Sequence, residues 1–136
     1  MNTLVDKIIR VSDIMTTQYT IVEGKDTLSS GLEKMKELQS RIMIVNKRHD
    51  NDEYGLISMS DIADKVLAVN KNPERTNLYE IMTKPVVTVH ASMDIRYCAR
   101  LMSRFKLALV PVCNETGTII GLVDFDDMIF KGLMKN

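Results

Sequence analysis

Two stretches of the chain carry the same spacing of apolar residues. Leu28, Leu32, Met35 and Leu38 stand at i, i+4, i+7 and i+10, and Ile95, Ala99, Met102 and Phe105 repeat that spacing 67 residues later. Each set predicts one stripe of an amphipathic helix. Each helix leads into a short apolar run, residues 42–45 and 107–112, that predicts a strand. A second strand is expected at 54–57 and 118–123, and after a polar turn another helix near 61–69 and 127–134. A brief strand is expected ahead of each first helix, near 19–22 and 86–89. Each half therefore reads β-α-β-β-α, and the whole is of the α+β class.

Short landmarks show that the two halves are copies. Ile14-Met15-Thr16 recurs as Ile81-Met82-Thr83 after 67 residues, and Gly55-Leu56-Ile57 recurs as Gly121-Leu122-Val123 after 66. The residue lost in the second copy falls in a turn: 47–53 is a long polar loop, whereas 114–117 turns tightly through Asn-Glu-Thr-Gly. The polar joint 70–77 contains Pro73 and suits a linker. Repeat 1 then covers 1–72 and repeat 2 covers 73–136. A unit of about 60 residues buries too little surface to be comfortable alone. The two copies are expected to pack their sheets together as one pseudo-symmetric body, with paired clefts about the pseudo-twofold axis.

Composition narrows the class. The 136 residues are 45% hydrophobic and 26% charged, as a folded domain requires. Lys+Arg and Asp+Glu are 18 each, so the basic excess of a nucleic-acid or anionic-membrane binder is missing. The longest apolar run, 107–113, is far too short to span a bilayer, and the opening residues lack a signal peptide's apolar stretch. The two cysteines, Cys98 and Cys113, make no disulfide framework and suit a reducing cytoplasm.

The candidate chemistry lies where strand gives way to helix. Gly55-Leu56-Ile57-Ser58-Met59-Ser60-Asp61 brings two hydroxyls and a carboxylate to the free N–H groups of a helix start. Such an end attracts phosphate. Ser58 and Ser60 add hydroxyl donors, and Asp61 suits the vicinal hydroxyls of a ribose. Ser and Asp are also ordinary helix caps, a role that needs no ligand.

Repeat and motif together resemble the tandem cystathionine-β-synthase (CBS) domain pair. The resemblance runs from about Val11 to Leu133. It rests on Asp-Ile-Met-Thr at 13–16, Glu-Ile-Met-Thr at 80–83, Val-Thr-Val at 87–89, Leu-Val-Pro-Val at 109–112 and the two Gly-Leu-Ile/Val segments closing on Asp61 and Asp127. It implies a regulatory, non-catalytic module that binds adenosine compounds in clefts mixing both repeats. In the first cleft it places ribose on Asp61, phosphate on Ser58, Ser60 and Arg41, and adenine against Thr88, Ala91, Met93, Leu107 and Ala108. AMP, ADP or ATP is the implied ligand, with S-adenosylmethionine and NAD as secondary candidates. No cofactor is required. A homodimer and an unidentified regulated protein are the implied partners. A constitutive dimerisation scaffold with empty clefts is the alternative.

The second cleft departs from the family pattern. Asp124 replaces Ser58, Asp126 replaces Ser60, Asp127 keeps the ribose position and Ile21 replaces Thr88, with Gly24 and Asp26 alongside. Three carboxylates within four residues repel phosphate, so this cleft is expected to bind nucleotide weakly or not at all, unless a divalent cation bridges. His49 and His90 are read as surface residues and no metal site is expected. The methionines and both cysteines are assigned to packing, and Pro111 to an edge or a bend. No phosphate-loop lysine, zinc-protease or nucleophile-elbow signature is present, so no catalytic residue is expected.

Overall fold

Each first helix is fixed at both ends by its own sequence. In a computed structural model, which describes residues 8–84 and 87–134, α1 spans Val11–Ile14, α2 Leu28–Leu38 and α4 Ile95–Phe105. Thr27 Oγ1 caps α2 by accepting from Ser30 N at 3.2 Å, and the Asp94 carboxylate caps α4 by accepting from Arg96 N at 2.9 Å. Both helices end on a left-handed residue, Gln39 (φ 54°) and Lys106 (φ 55°), which stand 67 positions apart. The buried stripe is narrower than the spacing predicts. Leu28, Gly31 and Met35, then Ile95, Cys98 and Met102, face the core, while Leu32, Leu38 and Phe105 are exposed. At about 100° per residue, Leu32 lies about 40° to one side of Leu28 and Leu38 about 80° to the other, so both fall at the edges of the buried stripe, and Phe105 repeats the place of Leu38.

Two three-stranded sheets have the same design. β1 (Thr20–Val22) runs parallel to β2 (Met43–Val45), which pairs antiparallel with β3 (Gly55–Ile57). β4 (Val89–His90), β5 (Leu109–Cys113) and β6 (Ile119–Asp124) repeat that order. The parallel pairs are joined by helical crossovers and the antiparallel pairs by hairpins, as their geometry demands. The hairpin turns differ as expected. Asn114 Oδ1 accepts from Thr116 N and Thr118 N, and Gly117 adopts φ 82°.

Pro111 does not lie at an edge. It sits in β5, the middle strand, opposite Leu122. The reason is that β4 starts only at Val89, opposite Val112, so the pairing present at Ile21 and Ile44 in the first sheet is missing at Thr88 and Pro111. Proline has no N–H for the ladder, and the ladder stops where it would be needed.

The closing helices begin as α3 (Met59–Ile62) and α5 (Phe125–Asp127). Each then widens into a π-helical turn, Ala63–Leu67 and Met128–Leu133, with Ala68 N bonding Ala63 O and Met134 N bonding Ile129 O, both at 2.8 Å.

Packing groups the chain differently from the linear order of the repeats. Residues 18–84 form one compact unit, and 8–17 join 87–134 in the other. The leader of each repeat thus docks on the strands of the other. Val11 and Ser12 donate to the carbonyls of Met93 and Ala91, and Leu78 and Tyr79 donate to those of Asp26 and Gly24, at 2.8–2.9 Å. Thr16 exchanges two backbone bonds with Leu122, and Thr83 two with Leu56. Ile14 and Ile81 complete the respective cores. Met15 and Met82 lie over Gly121 and Gly55, where a Cβ would come within 2.6 and 2.5 Å of the methionine sulfur. A side chain at either glycine would force the methionine to shift.

Candidate functional site

The start of α3 is a closed capping box. Ser58 Oγ accepts from Asp61 N at 3.2 Å, and Asp61 Oδ2 accepts from Ser58 N at 2.9 Å and from the Ser58 hydroxyl at 3.1 Å. Ser60 is exposed, with its Oγ 2.9 Å from that of Ser58. Lys65, one turn on, reaches Asp61 Oδ1 at 3.3 Å and also donates to Ile81 O at 3.1 Å. Asp61 Oδ2 is thus committed to the backbone, while Oδ1 holds only a half-exposed ammonium and keeps acceptor capacity. The motif accounts for its own cap and still offers a carboxylate oxygen to a hydroxyl donor.

The second copy keeps the geometry and changes the charge. Asp124 Oδ1 accepts from Asp127 N at 2.8 Å, Asp127 Oδ2 accepts from Asp124 N at 3.4 Å, and Lys131 pairs with Asp127 Oδ1 at 3.0 Å. Asp126 is exposed. Among the described residues no three His, Cys, Asp or Glu side chains converge as a metal would require. Lys65 and Lys131 were missed in the sequence, although both stand four residues after the motif aspartate and 66 apart.

Each unit has a shallow hollow beside its motif. One, of about 380 Å³, is lined by Arg41, Met59, Ser40 and neighbours from α2, so Arg41 shares a hollow with Met59 of the helix start. Its counterpart, of about 390 Å³, is lined by Leu107, Ala108, Phe125 and Met102, beside Asp124–Asp127. Ala91 and Met93 lie at the other end of β5. Ala91 N donates to Cys113 O at 3.0 Å, and Ala91 lines a separate pocket with Arg10 and His90. Gly24 occupies the matching place in the first sheet, and Ile21 is exposed on β1. Thr88 is exposed, with Oγ1 3.9 Å from Cys113 Sγ. Residues 18–84 thus carry Arg41, Ser58, Ser60 and Asp61, while 87–134 carry Thr88, Ala91, Met93, Leu107 and Ala108.

The family model for the CBS domain matches twice, at residues 11–68 and 78–132. The chain belongs to the CBS-domain family. Among solved structures, this CBS pair is similar to the hexameric CBS-CP12 protein from bloom-forming cyanobacteria. The two are 33% identical, the TM-score is 0.84, and the match covers 91% of this chain and 68% of that one. It is 26% identical to the CBS domain pair of protein MJ0100, solved with 5′-methylthioadenosine and S-adenosylmethionine, with TM-score 0.76 and coverage of 93% and 98%. It is 25% identical to the cytosolic domain of the Mg2+ channel MgtE in complex with ATP, with TM-score 0.70 and coverage of 87% and 46%. The chain spans less than half the length of the curated relatives it matches. No helix among the described residues is long and apolar enough to cross a membrane.

Proposed function

We propose that this CBS pair is a regulatory module that binds an adenine nucleotide at the Ser58–Asp61 motif. The observation that carries this reading is Asp61 Oδ1, held only by the half-exposed Lys65 ammonium, at a helix start that also presents the Ser60 hydroxyl, with Arg41 in the hollow that Met59 lines. A ribose diol donates to Asp61, and the phosphate takes the Ser60 hydroxyl and the Arg41 guanidinium. Two neighbours at 25–26% identity are solved with adenosine-containing ligands, which supports the same class of ligand. AMP, ADP and ATP rank first because Arg41 and the serines suit phosphate. The matching helix start at Asp124–Asp127 is the poorer phosphate site, for its carboxylates oppose the dipole's attraction.

The module acts as a cytoplasmic regulator without catalysis of its own, and passes its state to a partner protein. A switch requires that ligand bind two arrangements with different affinity. Self-association is part of the proposal. Leu67 at the end of the first repeat's closing helix and Val69 just after it, and Phe130, Leu133 and Met134 at the second's, expose apolar surface of the kind that a second copy covers.

Calorimetric titration of Arg41→Ala with AMP and with adenosine tests the phosphate assignment. AMP affinity is expected to fall about tenfold, the loss of one charge-assisted hydrogen bond, while adenosine affinity holds. An equal effect on both ligands, or none on AMP, overturns it.

A further inference from the structure

A cavity of about 680 Å³ lies away from the Ser58–Asp61 motif, in the unit 18–84. Three segments build it: the turn after β1 (Glu23, Gly24, Lys25), the end of β2 with its loop (Val45, Asn46, Arg48), and the incoming leader (Tyr79, Met82, Lys84). Its volume is in the range of small-molecule sites. The apolar part is Val45, Met82 and the exposed ring of Tyr79. The polar part is cationic, and Asp52 holds it in place. That carboxylate accepts from Arg48 N and Nε at 2.9 Å and from Lys84 Nζ at 2.6 Å. Asn46 Nδ2 is tied to Glu23 at 3.1 Å. Among the described residues no acidic side chain pairs with Lys25, and Arg48 spends only Nε and Nη2 on Asp52, leaving Nη1 to a ligand. Counting Asp52 and Glu23 against Lys25, Arg48 and Lys84, the cavity keeps a positive balance.

The duplication provides an internal control. The matching pocket of the other unit, about 480 Å³, is lined by Ser12, His90, Ala91, Ser92, Asn114, Glu115 and Thr116, with Arg10. There Ser92 stands where Lys25 does, Ser12 where Tyr79 does, and Thr17 where Lys84 does. The same fold forms there with Arg10 in the lining and without counterparts of Lys25, Lys84 or the Tyr79 ring, so packing does not require those three.

We propose that this cavity is a second ligand site, for a small phosphate ester carrying a flat ring. The ring lies against Tyr79 and Met82, the phosphate meets Lys25, Arg48 Nη1 and Lys84, and Asn46 with Glu23 faces the ring's polar edge. The site is independent of the Ser58–Asp61 motif.

Pyridoxal 5′-phosphate is the probe, trapped on lysine by borohydride and located by peptide mass spectrometry on the full chain. Labelling is expected to concentrate on Lys25 and Lys84 over the other exposed lysines. Inorganic phosphate should suppress it, and pyridoxal without phosphate should not reproduce it. Lys25→Ser and Tyr79→Ser, which install the other repeat's residues, should each weaken reversible binding about tenfold with an unchanged circular dichroism spectrum. Labelling spread evenly over the surface lysines overturns the proposal, as does labelling indifferent to phosphate. Asp61→Asn should leave this labelling intact, which separates it from the nucleotide reading.

Discussion

Replacing Gly121 with alanine tests the docking of a leader on the other repeat's sheet. The new Cβ would lie 2.6 Å from Met15 Sδ, 3.0 Å from its Cγ and 3.1 Å from Thr16 O. The sulfur can swing aside, but the carbonyl cannot, because Thr16 is held to Leu122 by two backbone bonds of 2.8 and 2.9 Å. Overpacking of this kind costs about 1–3 kcal/mol. Loss of glycine's freedom in the unfolded chain returns about 0.4–1 kcal/mol. The net destabilisation runs from near zero to about 2.6 kcal/mol, with a centre near about 1.3 kcal/mol that for a chain this size lowers the melting midpoint by roughly 3–6 °C. Differential scanning calorimetry measures it. Met15→Ala removes both the sulfur and Cγ, so the double variant should be more stable than additivity allows, by at least about 0.5 kcal/mol. Gly117→Ala is the control. Nothing lies within 4 Å of a Cβ there, but φ is +82°, so its cost comes from the backbone and Met15→Ala should not relieve it. A Gly121→Ala variant that melts with the wild type, or strict additivity with Met15→Ala, would refute the reasoning.

The left-handed helix ends at Gln39 and Lys106 each carry a strain that glycine lacks, so Gln39→Gly and Lys106→Gly should each raise stability in urea by up to about 1 kcal/mol. Burial pushes the Cys98 thiol up to about 11, whereas Cys113 is only half-buried. Ellman's reagent at pH 8 should therefore label one thiol in the native protein and two in guanidinium. The Arg48 guanidinium, followed by the Lys84 ammonium, holds the Asp52 carboxyl well below the usual carboxylate range. A depressed pKa stabilises the fold above the unfolded-chain value of about 3.9 and loses that contribution as pH falls through the lower folded value. The stability difference between wild type and Asp52→Asn should hold from neutral pH to about 5 and shrink below about 4. A difference that shrinks already near neutrality would contradict the assignment.

Much of the fold is legible in the chain because local signals agree. Repeated Ile-Met-Thr and Gly-Leu segments mark the two copies, and the helix spacing and caps mark the elements. The exchange of leaders is not legible, because residues 11–16 and 78–83 carry the same pattern and would dock equally well, by pattern alone, on either sheet. Pro111 misleads for a related reason: its missing N–H implies an unpaired position, and an edge is only one way to obtain that. The capping box at Ser58 and Asp61 is visible, and its third member, Lys65, is a four-residue step that the motif did not call for. The cavity around Tyr79 is invisible in the chain, since Lys25, Arg48 and Lys84 come from three segments and meet only after the leader docks.

The most direct test of the account is the melting midpoint with AMP, ADP, ATP and S-adenosylmethionine, each near ~1 mM, for the wild type and Asp61→Asn. A ligand at about 100 times its dissociation constant adds roughly 2.7 kcal/mol of stability. Asparagine keeps an oxygen for the Ser58 N–H and removes the charge that a ribose diol meets. The account predicts a rise of several degrees with at least one adenosine phosphate in the wild type, and its loss in Asp61→Asn. No shift with any of the four, or an equal shift in both proteins, would contradict nucleotide binding at this motif.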